Sequence, residues 1–112
     1  MERPARALVL AAAIVAAFAL ASCETRVREV PAEEIAARAQ KLIESGNDAF
    51  KAGDFELAAK RYAAATAEKA DDPAAYYGLG MALSKLGRDE QAREAYAKAR
   101  ELAHSESAAP HP

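Results

Sequence analysis

Residues 73–106 read PAAYYGLGMALSKLGRDEQAREAYAKARELAHSE, and residues 39–72 read AQKLIESGNDAFKAGDFELAAKRYAAATAEKADD. Laid one over the other, they agree at Gly46 and Gly80, Lys51 and Lys85, Gly53 and Gly87, Glu56 and Glu90, and Tyr62 and Tyr96. Ala58, Ala63 and Ala65 also recur, as Ala92, Ala97 and Ala99. Alanine coincidences carry little weight in a chain this rich in Ala. Gly, Lys, Glu and Tyr matching in one register carry much more. A fixed period of 34 residues marks a helical unit that stacks on its own copy. Units of this kind bind other molecules on a surface more often than they do chemistry.

The local signals predict four helices and no strand, because apolar residues recur at helical spacing and no run alternates with a period of two. Pro31 suits a helix start, and Glu33 and Glu34 suit the positive end of the helix dipole. Ile35, Ala39, Leu42, Gly46, Ala49 and Phe50 then follow on one face, and Gly53 stops the helix. Asp54 caps a second helix, from about Phe55 to Ala70, with Phe55, Ala58, Tyr62 and Ala65 on its inner face. Glu56 lies four residues before Lys60, a favourable pairing on the outside. Asp72-Pro73 caps and opens a third helix that ends at Gly87, and Asp89 opens a fourth.

These residues resemble the tetratricopeptide repeat, a pair of antiparallel helices 34 residues long. Residues 73–106 carry its pattern at Tyr76, Leu79-Gly80, Leu83, Gly87, Ala92, Tyr96 and Ala99. Residues 39–72 carry it at Leu42, Gly46, Ala49, Gly53, Ala58, Tyr62 and Ala65, with Ser45 in place of the usual Leu. The resemblance implies an all-α fold of two helix-turn-helix repeats, with close helix approach at Gly46 and Gly80 and tyrosine wedges at positions 62 and 96. In the family, the first helix of each pair lines a peptide-binding groove. Carried over residue by residue, that face is Ile43, Asn47, Phe50 and Lys51, then Ala74, Tyr77, Met81, Ser84 and Lys85. A clamp for a peptide carboxylate is not implied, because Ile43 and Gly78 replace the Lys and Asn it needs. Two repeats leave an open end, and the leucines at 79, 83, 86 and 102 are expected to form an apolar strip there, covered by a partner or by self-association.

The start of the chain has a different character. Arg3 and Arg6 precede an uncharged run from Ala7 to Ala21, and Cys23, the single cysteine, follows at once. A basic start, a short apolar run and small residues at its end are the parts of a secretory signal. Fifteen apolar residues fall short of the roughly 20 a spanning helix needs. Leu20-Ala21-Ser22-Cys23 resembles the cleavage site of bacterial lipoproteins. That resemblance implies cleavage between Ser22 and Cys23, a diacylglyceryl group on the Cys23 thiol, and an acyl group on its new amine. A thiolate is the nucleophile such a modification requires. Two or more fatty chains hold a protein stably at a membrane, where one does not. Glu24, rather than Asp, follows the cysteine, and in double-membrane bacteria this implies an outer-membrane anchor facing the periplasm. The expected organisation is a signal peptide over 1–22, a lipidated Cys and tether over 23–30, a helical domain over 31–104 and a disordered tail over 105–112.

Residues 23–112 hold 13 Lys and Arg against 16 Asp and Glu, a net charge of −3 with the signs interspersed. No basic face for nucleic acid is implied. A single cysteine excludes a disulfide within the chain. His104 and His111 lack further ligands at metal-site spacing. Ser45 and Ser84 have no base beside them in sequence, and there is no phosphate-binding glycine loop. Neither catalytic residues, a metal site nor a cofactor beyond the covalent lipid is expected, and the chain is not read as an enzyme. The expected function is a membrane-anchored adaptor that organises a cell-envelope assembly through protein contacts. The alternative is an accessory subunit that recruits an enzyme processing peptidoglycan or another envelope polymer. Self-association is a further expected mode.

Overall fold

A computed structural model describes residues 28–108 and 110. The expected signal peptide, Cys23 with its lipid, residues 24–27 of the tether and the last residues of the expected tail lie outside the described residues. Four helices follow one another: α1 (Ala32–Lys51), α2 (Phe55–Glu68), α3 (Pro73–Lys85) and α4 (Asp89–Ala108). Each packs on the next in sequence, and α1 also touches α3. This is the contact pattern of two stacked helical hairpins, α1–α2 and α3–α4.

The boundaries follow from local chemistry. Pro31 sits just outside α1 in extended conformation, so the helix begins one residue later than a proline at its first position implies. Gly53 and Gly87 adopt φ of +78° and +73°, which an L side chain rarely adopts. There the chain turns back on itself, with Asp54 N donating to Ala49 O and Arg88 N to Leu83 O. Asp54 accepts from Leu57 N at 3.1 Å, and Asp72 accepts from Ala74 N at 3.0 Å, so both expected caps form. The last helix departs from expectation. It runs to Ala108 and takes in residues 105–108, where the composition predicts a disordered tail. Ser105 and Ser107 return their hydroxyls to the carbonyls of Glu101 and His104, which removes their competition with the helical backbone.

The core is made mainly of alanine. Ten of the thirteen buried apolar residues are Ala, joined by Ile43, Leu83 and Tyr62. Small side chains let helix backbones approach closely, so one large residue can fill the joint between hairpins. That residue is Tyr62, 1% exposed. Its ring lies between two glycines. A Cβ on Gly46 of α1 would stand 2.9 Å from the ring, and one on Gly78 of α3 would stand 2.3 Å from it. Gly80 meets the Tyr96 ring in the same way, at 2.8 Å. The glycines therefore make room for tyrosines, and Gly78, which stands outside the 34-residue match, accommodates Tyr62 more tightly than Gly46 does.

Candidate functional site

The structure does not assemble the expected groove as one surface. Ile43 is buried in the core, 7% exposed. Asn47 lies at the surface, but its Oδ1 accepts the Tyr62 hydroxyl at 2.5 Å. That bond satisfies the one polar atom of an otherwise buried ring, which gives Asn47 a structural task. Phe50 is half-buried and meets Phe55 edge-on, with centroids 5.1 Å apart. Lys85 Nζ stands 6.0 Å from the Phe55 ring centre, at the outer limit of a cation–π contact. Phe50 and Lys85 of the expected groove thus gather with Phe55, expected on the inner face of α2, where the two hairpins meet. Lys51 and Ser84 are exposed, and Met81 is half-buried.

Tyr77 belongs elsewhere. It is 55% exposed and stacks obliquely on Tyr96, with centroids 5.6 Å apart. Together with Pro73, Ala74, Ala99, Arg100 and Ala103, the two rings line an open, largely apolar depression of about 460 Å³ between α3 and α4. Shifted back by one 34-residue period, this face is the part of the first hairpin that α3 covers. Ile43 takes the place of Tyr77, Tyr62 that of Tyr96, and Ala65 that of Ala99. In the first hairpin all three are buried; in the second, Ala99 is still buried, but Tyr96 is half-buried and Tyr77 exposed.

The expected strip of leucines is not the open surface. Leu83 is buried and Leu79, Leu86 and Leu102 are half-buried. Leu79 and Leu83 instead border a separate depression with Tyr76, Gln91, Glu94, Ala95 and Lys98. The repeat pattern makes Tyr96 a wedge between helices and gives Arg100 and Ala103 no place. The signal that finds them is the repeat register: among the described residues no third unit follows to cover the face that α3 covers one period earlier.

None of the buried residues among those described is polar or charged. No group of three or more His, Cys, Asp or Glu among them could hold a metal ion, and no described helix is long and apolar enough to cross a membrane. Burial pushes the Tyr62 phenol above its ordinary 10.0. Tyr96 shifts the same way, from partial burial and then from the neighbouring Tyr77.

The unfolded chain therefore sheds the Tyr62 proton first as pH rises. The stability that the neutral phenol contributes is complete below 10.0 and is lost as pH climbs through the folded-state value. Urea midpoints should fall as pH passes 10.0, and fall less steeply in the Tyr62→Phe chain, which has no phenol at the joint. Equal slopes for the two chains would place the pH dependence elsewhere.

A family model of the tetratricopeptide repeat matches residues 43–107, more than half of the chain. No curated protein and no solved structure matches it. The matched span takes in both hairpins from the middle of α1 almost to the end of α4, including every residue of the open face.

Proposed function

We propose, from the premise that this chain belongs to the tetratricopeptide repeat family, that it is a lipid-anchored adaptor of a bacterial cell envelope. Repeats of this family are non-catalytic folds that mediate protein–protein contact, and that role follows from membership. The anchor and the envelope setting rest on Leu20-Ala21-Ser22-Cys23 directly after the apolar run. The observation that carries the adaptor reading is the exposure of Tyr77 beside Tyr96. A large aromatic surface left open on a small domain is the kind of feature that binds a partner.

The anchor and the domain suit each other in reach. Residues 24–30 separate Cys23 from Pro31, and seven residues span at most roughly 25 Å. A lipid on Cys23 therefore holds the helical domain close to the membrane surface, where it meets partners in or beside that membrane.

Metabolic labelling with an alkyne fatty acid tests the anchor. The chain should take up label, and Cys23→Ser should abolish both the label and the processed species. An unlabelled parent chain, or a labelled serine variant, defeats the lipid reading. A photo-reactive residue in place of Tyr77, activated in intact cells, tests the adaptor. A cross-linked product with a second protein is expected. Products containing only enzymes that act on envelope polymers shift the assignment to a recruiting subunit, and an absence of any heteromeric product rejects the adaptor.

A further inference from the structure

The joint between the two hairpins is a worked example of how this fold covers its own open face. α3 brings Ala75, Gly78 and Ala82, a single stripe by their spacing, and Gly78 lies on the Tyr62 ring. Arg88, just beyond the C-terminus of α3, reaches back to Glu56 at the start of α2, 3.3 Å away, in place of the expected Glu56–Lys60 pair. One period later the receiving half of this joint is present again. Tyr96 repeats Tyr62, Ala99 repeats Ala65, and Glu90 repeats Glu56. Glu90 is exposed, and none of the ion pairs among the described residues includes it.

We propose that this second copy of the joint is completed in trans by a helix of a partner protein that imitates α3. Small side chains of that helix pass over Tyr96 and Tyr77, and a basic residue beyond its C-terminal end pairs with Glu90. The proposal rests on the adaptor reading and adds to it the chemistry of the partner. Its warrant is continuity with the observed joint, together with the charge that Glu90 leaves unmatched.

A second copy of this chain, stacked head to tail, does not fit. One period before Ala75, Gly78 and Ala82 stand Lys41, Glu44 and Asp48, all exposed. Glu44 would lie on the Tyr96 ring, where the equivalent position in α3 has no room even for a Cβ. Asp54 would occupy the place of Arg88 and face Glu90 with like charge. The first hairpin thus presents polar side chains where α3 presents small ones, while the second presents a receiving face that no described helix covers.

The test uses the full chain as isolated from cells and a fluorescent peptide of residues 73–88. A lactam joining positions 80 and 84, on the side of the helix away from the Ala75–Gly78–Ala82 stripe, holds the peptide helical. Saturable binding by fluorescence anisotropy is expected. Gly78→Leu in the peptide should weaken it about tenfold or more, the equivalent of about 1.4 kcal/mol. Glu90→Arg in the chain should weaken it about threefold, as suits an exposed ion pair. Arg88→Glu in the peptide should restore the loss caused by Glu90→Arg. Absence of saturable binding, or equal binding of the Gly78→Leu peptide, overturns the proposal. So does cross-linking from position 77 that yields only dimers of this chain and excludes the peptide. Heteromeric cross-links in cells alongside indifference to Gly78→Leu would leave the adaptor standing and remove its α3-like partner.

Discussion

Tyr62→Ala should remove about 3–5 kcal/mol of stability, the cost of deleting a large ring from a packed core. A domain of this size has on the order of 4–12 kcal/mol in total. The variant should therefore show a shallow unfolding transition, or none, when helix content is followed by circular dichroism against urea. Nothing nearby can collapse into the space. The surrounding buried side chains are mostly alanines, which are too short to reach across it, and the ring's two faces rest on glycines. The hydroxyl bond to Asn47 is lost with the ring. Tyr96→Ala, the same change one period later, should cost only about 1–2 kcal/mol, because that ring is half-buried and less surface returns to water. Similar losses at the two positions would mean that the second hairpin is covered in solution as the first is.

Gly78→Ala carries the second large effect, and its sign is the informative part. In an ordinary helix interior this exchange stabilises by about 1 kcal/mol. Here the new methyl would stand 2.3 Å from Cε1, 2.5 Å from Cδ1 and 2.7 Å from Cζ of Tyr62. The clash runs along the ring, which is held on its other side by Gly46 and at its tip by Asn47. Overpacking of this kind costs about 1–3 kcal/mol and more when the neighbours cannot move. A net loss of about 1–2 kcal/mol is expected, read as a drop in urea midpoint with unchanged slope. In a Tyr62→Leu background the obstacle is gone, and the alanine should become neutral or stabilising. An alanine that destabilises equally in both backgrounds would show that the ring is not what demands glycine at this position.

Much of the architecture was legible because it is local. Capping by Asp54 and Asp72, the glycine turns at 53 and 87, and the apolar spacing along each helix depend on residues within a turn or two of one another. The end of α4 is less legible. Ser105, Glu106 and Ser107 have the composition of a tail, but the helix continues through them, and the two serine hydroxyls bond back to carbonyls of the preceding turn instead of to their own backbone N–H groups. The groove was harder to read. The residues that the family pattern places on one face separate into a buried Ile43, an Asn47 tied to Tyr62, an aromatic cluster around Phe55 and an exposed Tyr77. Gly78 carried no weight in the repeat match, yet it contributes the tightest approach in the joint.

The chain's letters alone determined the number of helices, their period, their caps and the pairing of units, because those follow from side chains acting on their own backbone. Whether a given position is core or surface was decided only when the hairpins came together. Ile43 and Tyr77 occupy equivalent places in equivalent helices, and one is 7% exposed while the other is 55% exposed. Their own positions in the repeat are the same; what separates them is that α3 lies across the first hairpin and no described helix lies across the second. Burial belongs to the neighbour as much as to the residue, and the mark of a stacking neighbour lies in the neighbour's own sequence, at Ala75, Gly78 and Ala82, not beside Ile43 or Tyr77.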